Sequence, residues 1–303
     1  MINKFLKYLN FVILFKDGTA VGDQLLMSAL IEKLKKEKVN FIIFSRYNEL
    51  FYNNPKVFFS FKLKKNFYSK FILKMLRFYE GDNIINFQSK RQNSNQKYFF
   101  YSFKNFYPHL ARAHLEHTKY FNKNDNKKIK CEIFFSNDEI NFYKNKFKLN
   151  KEYVVIQTET KTSFTKIKNW KVEKFQEVVD YFDNFEWVQA SKNEKLLKNS
   201  IDLSSNTNLR ELAFLIKESK FVLCLEGLYN HIASCFDKKA FVIASGFVPN
   251  EVFNYKNTTI IKSKIKPICD PCFLLSDCPV DKKPCTNKIS SEEVINIIKS
   301  SII

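Results

Sequence analysis

Glycine is nearly missing from this chain: five occur in 303 residues, where an average usage of about 7% would supply roughly 21. A chain this sparing keeps glycine where a side chain cannot fit. Long apolar runs are missing too. Nowhere do about 18 uninterrupted apolar residues occur, so no membrane-spanning helix is predicted. The opening MINKFLKYLNFVILF is interrupted by charges and followed by no small-residue cleavage site, so a secretory signal is not expected. GxGxxG and GK[ST] are both absent, which argues against a dinucleotide fingerprint and a phosphate-binding P-loop. The expected location is the cytoplasm, with peripheral contact at the inner membrane face as the one membrane association compatible with these features.

Acidic residues are in short supply: 31 Asp and Glu stand against 50 Lys and Arg, a formal charge of +19. The lysines are spread along the whole chain and no nucleic-acid module is recognisable, so a nucleic-acid partner is not expected. A general bias toward Lys, Asn, Phe and Ile accounts for the excess, and attraction to anionic surfaces follows from it. What the chain does have is 45% hydrophobic residues, enough to offset the entropy of an ordered fold. Its length suits two domains of about 150 residues each.

Strand-like and helix-like segments alternate, which points to an α/β fold with parallel sheets. Phe11 to Phe15 reads as a buried first strand, Asp23 to about Lys36 as a helix, and Asn40 to Ser45 as a second strand. Ile84 to Phe87 reads as another strand, and Pro108 to about Tyr120 as a helix. The aromatic, lysine-rich stretch Phe51 to Tyr79 has too weak a periodicity to place its elements. After a polar break at Asn122 to Lys128, the run CEIFF is strand-like and Asn137 to Lys148 resembles a connecting helix. The second half restarts after Tyr153 with a strand, then helix Val172 to Phe182, strand Glu186 to Ala190, helix Leu209 to Ser219 and strand Phe221 to Leu225. A short helix around His231, strand Ala240 to Ser245 and a final helix Ser290 to Ile302 complete it. Ser290 and Glu293 form a capping box for that last helix. The expected division is 1–150 and 151–303.

Four of the five glycines fall in turns that follow a strand. Gly18 and Gly22 follow the first, Gly227 follows FVLCLE, and Gly246 follows FVIAS; only Gly81 falls elsewhere. These are carboxyl ends of strands, where doubly wound folds bind their ligands. Asp23 stands at a helix start, where the helix dipole favours a carboxylate; a plain N-terminal acid of a helix satisfies the same pattern. At Gly227 the backbone N–H groups of a helix N-terminus offer an anion site.

Several segments resemble glycosyltransferase family 9, the heptosyltransferase-like family. Gly22, Asp23, Leu25, Ser28 and Leu30 match the opening of its "GD-x-[LV]-x-x-[TS]-x-[LI]" helix, and Asn54, Pro55 and Val57 its "NP-x-V" loop. Lys168, Trp170, Glu173 and Phe175 match "K-x-W-x-x-E-x-F", with Lys171 where the family usually has Pro. Thr207, Leu209, Glu211, Ala213 and Leu215 follow a further helix pattern. The turn Glu226-Gly227-Leu228-Tyr229-Asn230-His231 is similar to an "EGGLHH" variant, and Gly246 with Pro249 to a "GG-x-x-x-P" loop. The resemblance implies a GT-B fold of two Rossmann-like domains facing a cleft, acceptor side first and nucleotide-sugar side second. It implies Asp23 as the base for the acceptor hydroxyl, beside Gly22, and Lys168 as the cation on the donor phosphates, with Gln157 and Thr158 flanking. Glu226, Gly227, Asn230, His231 and Gly246 would line the donor site. His109, on a predicted helix with Arg112, His114 and His117, would face the acceptor side. The implied reaction is inverting transfer of heptose or a related sugar from an ADP-sugar to an anionic lipopolysaccharide-type glycolipid or glycan. No Asp-x-Asp occurs, so a divalent-metal-bound donor is not expected. Glu226 and Leu228 depart from the Asp-[Ser/Thr]-Gly of heptosyltransferases proper. That leaves open a degenerate nucleotide-sugar-binding module, or a transferase acting on protein or capsule.

Three of the seven cysteines, Cys131, Cys224 and Cys235, lie scattered in apolar segments. The other four, Cys269, Cys272, Cys278 and Cys285, are spaced C-x2-C-x5-C-x6-C. That spacing is a recurring metal-ligand pattern. Some members of the family hold iron on four cysteines, and zinc suits tetrahedral thiolates equally. A structural rather than catalytic metal is the expectation, with free or disulfide-bonded thiols as the alternatives.

Overall fold

Among the described residues apolar cores form against two sheets, in each of which the paired strands are all parallel. The structure is a computed structural model, and it describes residues 2–16, 18, 20–87, 109, 130–149, 152–160, 167–192, 195–265, 267–274, 278, 280 and 284–302. The described residues gather into two units. The first holds those up to Phe87 with His109 and 130–141; the second holds those from Phe142 onward.

In the first unit helix α1 (Ile2–Tyr8) leads into β1 (Phe11–Phe15). Helices α2 (Val21–Leu25) and α3 (Ser28–Lys33) come next, then β2 (Asn40–Ser45), β3 (Val57–Lys62), α4 (Phe67–Phe78) and β4 (Ile84–Asn86). The strand order is β3-β2-β1-β4. The single helix expected from Asp23 to Lys36 is corrected by the structure, which breaks it in two. Met27, Ala29 and Leu30 donate their N–H groups three residues back, a 3₁₀-like tightening. Ser28 Oγ donates to the Leu25 carbonyl at 2.7 Å, and such back-bonding bends helices. The strand expected at CEIFF is corrected as well. Cys131 and Ile133 are buried, but 130–136 form no ladder; the Glu132 N–H donates to Ser28 Oγ at 2.9 Å instead. Of the helix expected over 108–120, only His109 lies within the described residues, and it is buried.

Helix α5 (Asn137–Phe147) spans the division between the units. The second unit runs β5 (Tyr153–Ile156), α6 (Val172–Tyr181), β6 (Glu186–Gln189), β7 (Ser200–Asp202), α7 (Leu209–Glu218), β8 (Val222–Leu225), α8 (Leu228–Cys235), β9 (Ala240–Ile243), β10 (Thr258–Ile261), α9 (Pro284–Asn287) and α10 (Ser291–Ile302). The order is β10-β9-β8-β5-β6-β7. Strands β5, β8 and β9 are buried at every position, the mark of parallel strands covered on both faces. Their core joins Ile156, Leu223, Phe241 and Ile243 to Phe175 of α6 and Ile298 of α10. Helix α7 opens with a capping box between Asn208 and Glu211, and the Glu293 N–H at the start of α10 donates to Ser290 Oγ. Such caps contribute about 1 kcal/mol each. None of the described helices is long and apolar enough to cross a membrane.

Candidate functional site

From β5 the chain builds outward through β6 and β7, then returns to the other side of β5 for β8, β9 and β10. The reversal between β5 and β8 is a topological switch point, and ligands of open α/β sheets bind outside the carboxyl ends of the strands there. Gln157 and Thr158 come directly after β5, Glu226 and Gly227 after β8, and Ser245 and Gly246 after β9. The structure thus brings the donor-side candidates to one edge of one sheet.

Glu226 is the chemically unusual member. It is 2% exposed, and its Oε1 accepts a short hydrogen bond from Ser245 Oγ. Its Oε2 is buried and finds no hydrogen-bond partner among the described residues, and the same is true of Gln157 Oε1, just past the end of the neighbouring β5. Burial pushes the Glu226 carboxyl above the usual range, while the charges of Lys168 and Lys262 and the Ser245 hydrogen bond pull it back. Two buried, unspent oxygens at a switch point are suited to a ligand's hydroxyl or N–H donors, because an unmet buried acceptor costs about 1–3 kcal/mol.

Lys168 is placed by its neighbours. Trp170 and Phe175 are buried with ring centroids 4.8 Å apart, and Trp170 Nε1 donates to the Ile289 carbonyl at 3.1 Å. Asn169 Oδ1 accepts from both the N–H and the Oγ1 of Thr160, at 3.0 and 2.9 Å, which fixes the far end of the loop. These contacts hold Lys168 half-buried with its Nζ 4.8 Å from the Phe247 ring centroid, where its charge acts on the Glu226 carboxyl. The spacing from Lys168 to Trp170 and Phe175 therefore has a packing reason: two core rings position one cation.

Gly227 caps α8 with φ 156° and ψ −144°, a region open essentially to glycine alone, where a side chain costs about 1–3 kcal/mol. A Cβ there would meet nothing within 4 Å, so backbone conformation, not crowding, requires the glycine. The helix N-terminus beyond it presents N–H groups and a positive dipole end. Asn230 and His231 sit in the first turns of α8 but are tied inward. The Asn230 amide donates to the Phe253 carbonyl at 2.7 Å and accepts from Thr258 Oγ1 at 2.8 Å. His231 Nδ1 lies 2.6 Å from the Tyr255 hydroxyl.

At Gly246 the reason for glycine is space. An added Cβ would lie 3.3 Å from the side chain of Asp270 and 3.5 Å from that of Cys285. The Cys272 N–H donates to the Gly246 carbonyl at 2.8 Å and the Phe273 N–H to that of Phe247 at 2.9 Å, so the cysteine segment packs on the turn that carries Ser245. All four cysteines are free thiols. Burial pushes the Cys272 thiol up, and proximity to Cys269, Cys285 and Cys278 pushes it further. Among the described residues no group of three or more His, Cys, Asp or Glu is gathered closely enough to hold a metal ion.

Gly22 and Asp23 lie in the first unit, on the first turn of α2. Here sequence reading missed Gln24. It is fully buried; its Nε2 donates to the carbonyls of Lys16 and Gly18 at 3.2 and 3.1 Å, and its Oε1 accepts from Ser45 Oγ at 2.6 Å. The turn before Asp23 is thereby stitched to the end of β2. Ser245 and Lys262 were missed as well. Ser245 was open to detection as a hydroxyl directly before the Gly246 turn, whereas nothing local marks Lys262.

Residues 75–244, more than half of the chain, match the sequence profile described as glycosyltransferase family 9 (heptosyltransferase). Lys168, Gln157, Thr158, Glu226, Gly227, Asn230 and His231 lie inside that match; Gly22, Asp23, Gly246 and the four cysteines lie outside it. Among solved structures, the chain resembles the E. coli ADP-heptose LPS heptosyltransferase II at 11% identity and a TM-score of 0.69, covering 96% of this chain and 98% of that one. A glycosyltransferase family 9 protein from Veillonella parvula aligns at 12% identity and a TM-score of 0.66, covering 96% of both chains. The iron-containing dodecameric glycosyltransferase TibC from enterotoxigenic E. coli aligns at 13% identity and 0.66, covering 96% of this chain and 78% of that one. None of the curated proteins matches the chain. At such identities the structures speak for a shared GT-B fold of two Rossmann-like units.

Proposed function

Because this chain belongs to glycosyltransferase family 9, we propose that it moves heptose or a related sugar, with inversion, from an ADP-sugar to a lipopolysaccharide-type glycolipid or surface glycan. The observation that carries the donor half of this reading is the β5–β8 switch point. A half-buried lysine, a helix N-terminus and two unspent buried oxygens meet at one sheet edge there. A nucleoside diphosphate leaving group needs positive charge as its own charge develops, and Lys168 with the N–H groups of α8 supplies it. Gln157 and Glu226 take sugar or ribose hydroxyls. The choice of ADP is supported by TibC, a similarly folded protein known in complex with ADP-D-β-D-heptose.

In the chemical step the acceptor oxygen attacks the anomeric carbon from the side opposite the diphosphate. Asp23 takes the acceptor's proton, the bond to the diphosphate breaks, and its electron pair leaves with the nucleotide. Titration calorimetry with a panel of nucleotide sugars tests the donor half. At least one should bind; a folded chain that binds none would overturn the reading.

Cys269, Cys272, Cys278 and Cys285 are proposed to hold one structural iron or zinc. Four free thiols at the C-x2-C-x5-C-x6-C spacing are the chemistry for it. Among the described residues three or more of them are not gathered around one point, so binding would have to draw them together, and no step of the reaction passes through the site. Elemental analysis of the purified protein should find about one equivalent of iron or zinc. Neither metal, with all four thiols reactive, would contradict the assignment.

A further inference from the structure

Strand β3 and helix α4, the stretch whose pattern is hardest to read in sequence, carry an unusual outer surface. The β2–β3 pairing slips between Phe41 and Ile42: Phe41 faces Val57 but Ile42 faces Phe59. The extra residue, Phe58, sets its ring edge-on to Phe11 at 5.3 Å. Phe61 stacks on Phe44 at 4.8 Å and lies 4.5 Å from Phe59. Phe11 and Phe44 border the core that α1 and α4 cover. The aromatics of β3 extend that face beyond the cover, and Phe58 is 70% exposed.

Helix α4 is apolar on two opposite sides. Ser69, Leu73 and Leu76 are buried. By helical period, Phe67, Phe71, Met75 and Phe78 fall on the opposite side, and Phe67 and Phe78 are 77% and 78% exposed. A third stripe, Lys70, Lys74 and Arg77, runs alongside. Between Glu49 and Glu80 there is no acidic residue, and Lys56, Lys64 and Lys65 add to the basic set, while Lys62 pairs with Glu49 at 3.8 Å. Helix α1 contributes Phe5 and Tyr8, both exposed, with Lys4 and Lys7 and no acid.

We propose that the α1–β3–α4 face is the surface by which this protein lies on an anionic phospholipid bilayer. Outward aromatics beside a basic stripe, on a helix whose other side is packed, are the arrangement of interfacial binding. The charge fixes the choice of occupant. A second copy of this chain would bring the same excess of cations to the contact, with acids only at its margins in Glu49 and Glu80, whereas anionic headgroups complement the cations. The inference deepens the reading above, in which the acceptor is a membrane-borne glycolipid, but its test involves no sugar.

Vesicle sedimentation decides it. The full chain should bind phosphatidylcholine vesicles containing phosphatidylglycerol about tenfold or more tightly than vesicles of phosphatidylcholine alone, and more weakly as salt rises. Phe67→Ser/Phe71→Ser/Phe78→Ser should lower that binding about tenfold or more, and Lys70→Glu/Lys74→Glu should lower it at low salt. All five side chains point outward, so circular dichroism and nucleotide-sugar titration should be unchanged. Equal vesicle binding by wild type and both variants would overturn the proposal. So would absence of vesicle binding, or a preference for single-stranded DNA over the anionic vesicles at equal salt. Failure of the nucleotide-sugar titration with vesicle binding intact would sink the donor reading and leave this face standing.

Discussion

Replacing Asp23 by Asn is expected to lower the rate of sugar transfer by about 10²- to 10⁴-fold, the range in which a positioned general base acts. Asparagine keeps the shape and loses the proton acceptor. The loss should fall on kcat, with donor affinity unchanged, because Asp23 stands in the first unit and every proposed donor contact stands in the second. Folding should survive. The turn before Asp23 is held by Gln24, whose amide reaches the Lys16 and Gly18 carbonyls and the Ser45 hydroxyl, and none of those bonds involves Asp23. Steady-state kinetics beside circular dichroism would check it. Full activity from a folded Asp23→Asn chain would remove Asp23 from the chemistry. The test is also independent of the family assignment, since the matched segment starts at residue 75.

Lys168→Ala is expected to cost about 10²- to 10³-fold in kcat/KM, the effect of removing one preorganised group that meets developing charge. It should also weaken binding of the nucleoside diphosphate product, whose charge is already developed. Lys168→Arg should recover part of the loss, since the cation is kept and only its shape changes. The variant should fold: Trp170 and Phe175 hold this loop and helix α6, while Lys168 itself is only half-buried. An Ala variant with wild-type kcat/KM would place the phosphates elsewhere. Removing Lys168 also takes from Glu226 the charge that does most to offset its burial. The Glu226 carboxyl should then favour its neutral form more strongly, and any pH dependence of donor binding due to it should move upward.

The second unit was far more legible in sequence than the first, for reasons visible in individual elements. Strands β5, β8 and β9 are unbroken apolar runs because both their faces are covered. The Asn208–Glu211 cap and the Ser290–Glu293 pair obey helix-start chemistry that depends on neighbours in sequence. Scarce glycine located the turns, and Gly227 shows why, with a backbone conformation few other residues adopt. Strand β3 escaped because it is an edge with a register slip and outward phenylalanines, so no alternation survives. Helix α4 escaped because apolar residues on two opposite sides blur the one-sided pattern that marks a surface helix. CEIFF misled in the opposite sense: its buried residues alternate, but its hydrogen bonding goes to Ser28 and not to a strand. Of the proposed site residues, Asp23, Lys168 and Glu226 rested on the family resemblance, and Gly227 also on the scarcity of glycine. Lys262 had neither signal, since only the strand order brings the carboxyl end of β10 toward Glu226.

The donor site is the point on which the account stands, and calorimetric titration of the purified full chain with ADP-heptose and other nucleotide sugars measures it most directly. The account predicts saturable binding of at least one of them, with a dissociation constant of about 1 μM to 1 mM, the range in which enzymes meet their substrates, and clear weakening in Lys168→Ala. A folded chain that takes up none of them would contradict it, and would mark the edge formed by Gln157, Glu226 and Gly227 as a site that no longer serves a nucleotide sugar.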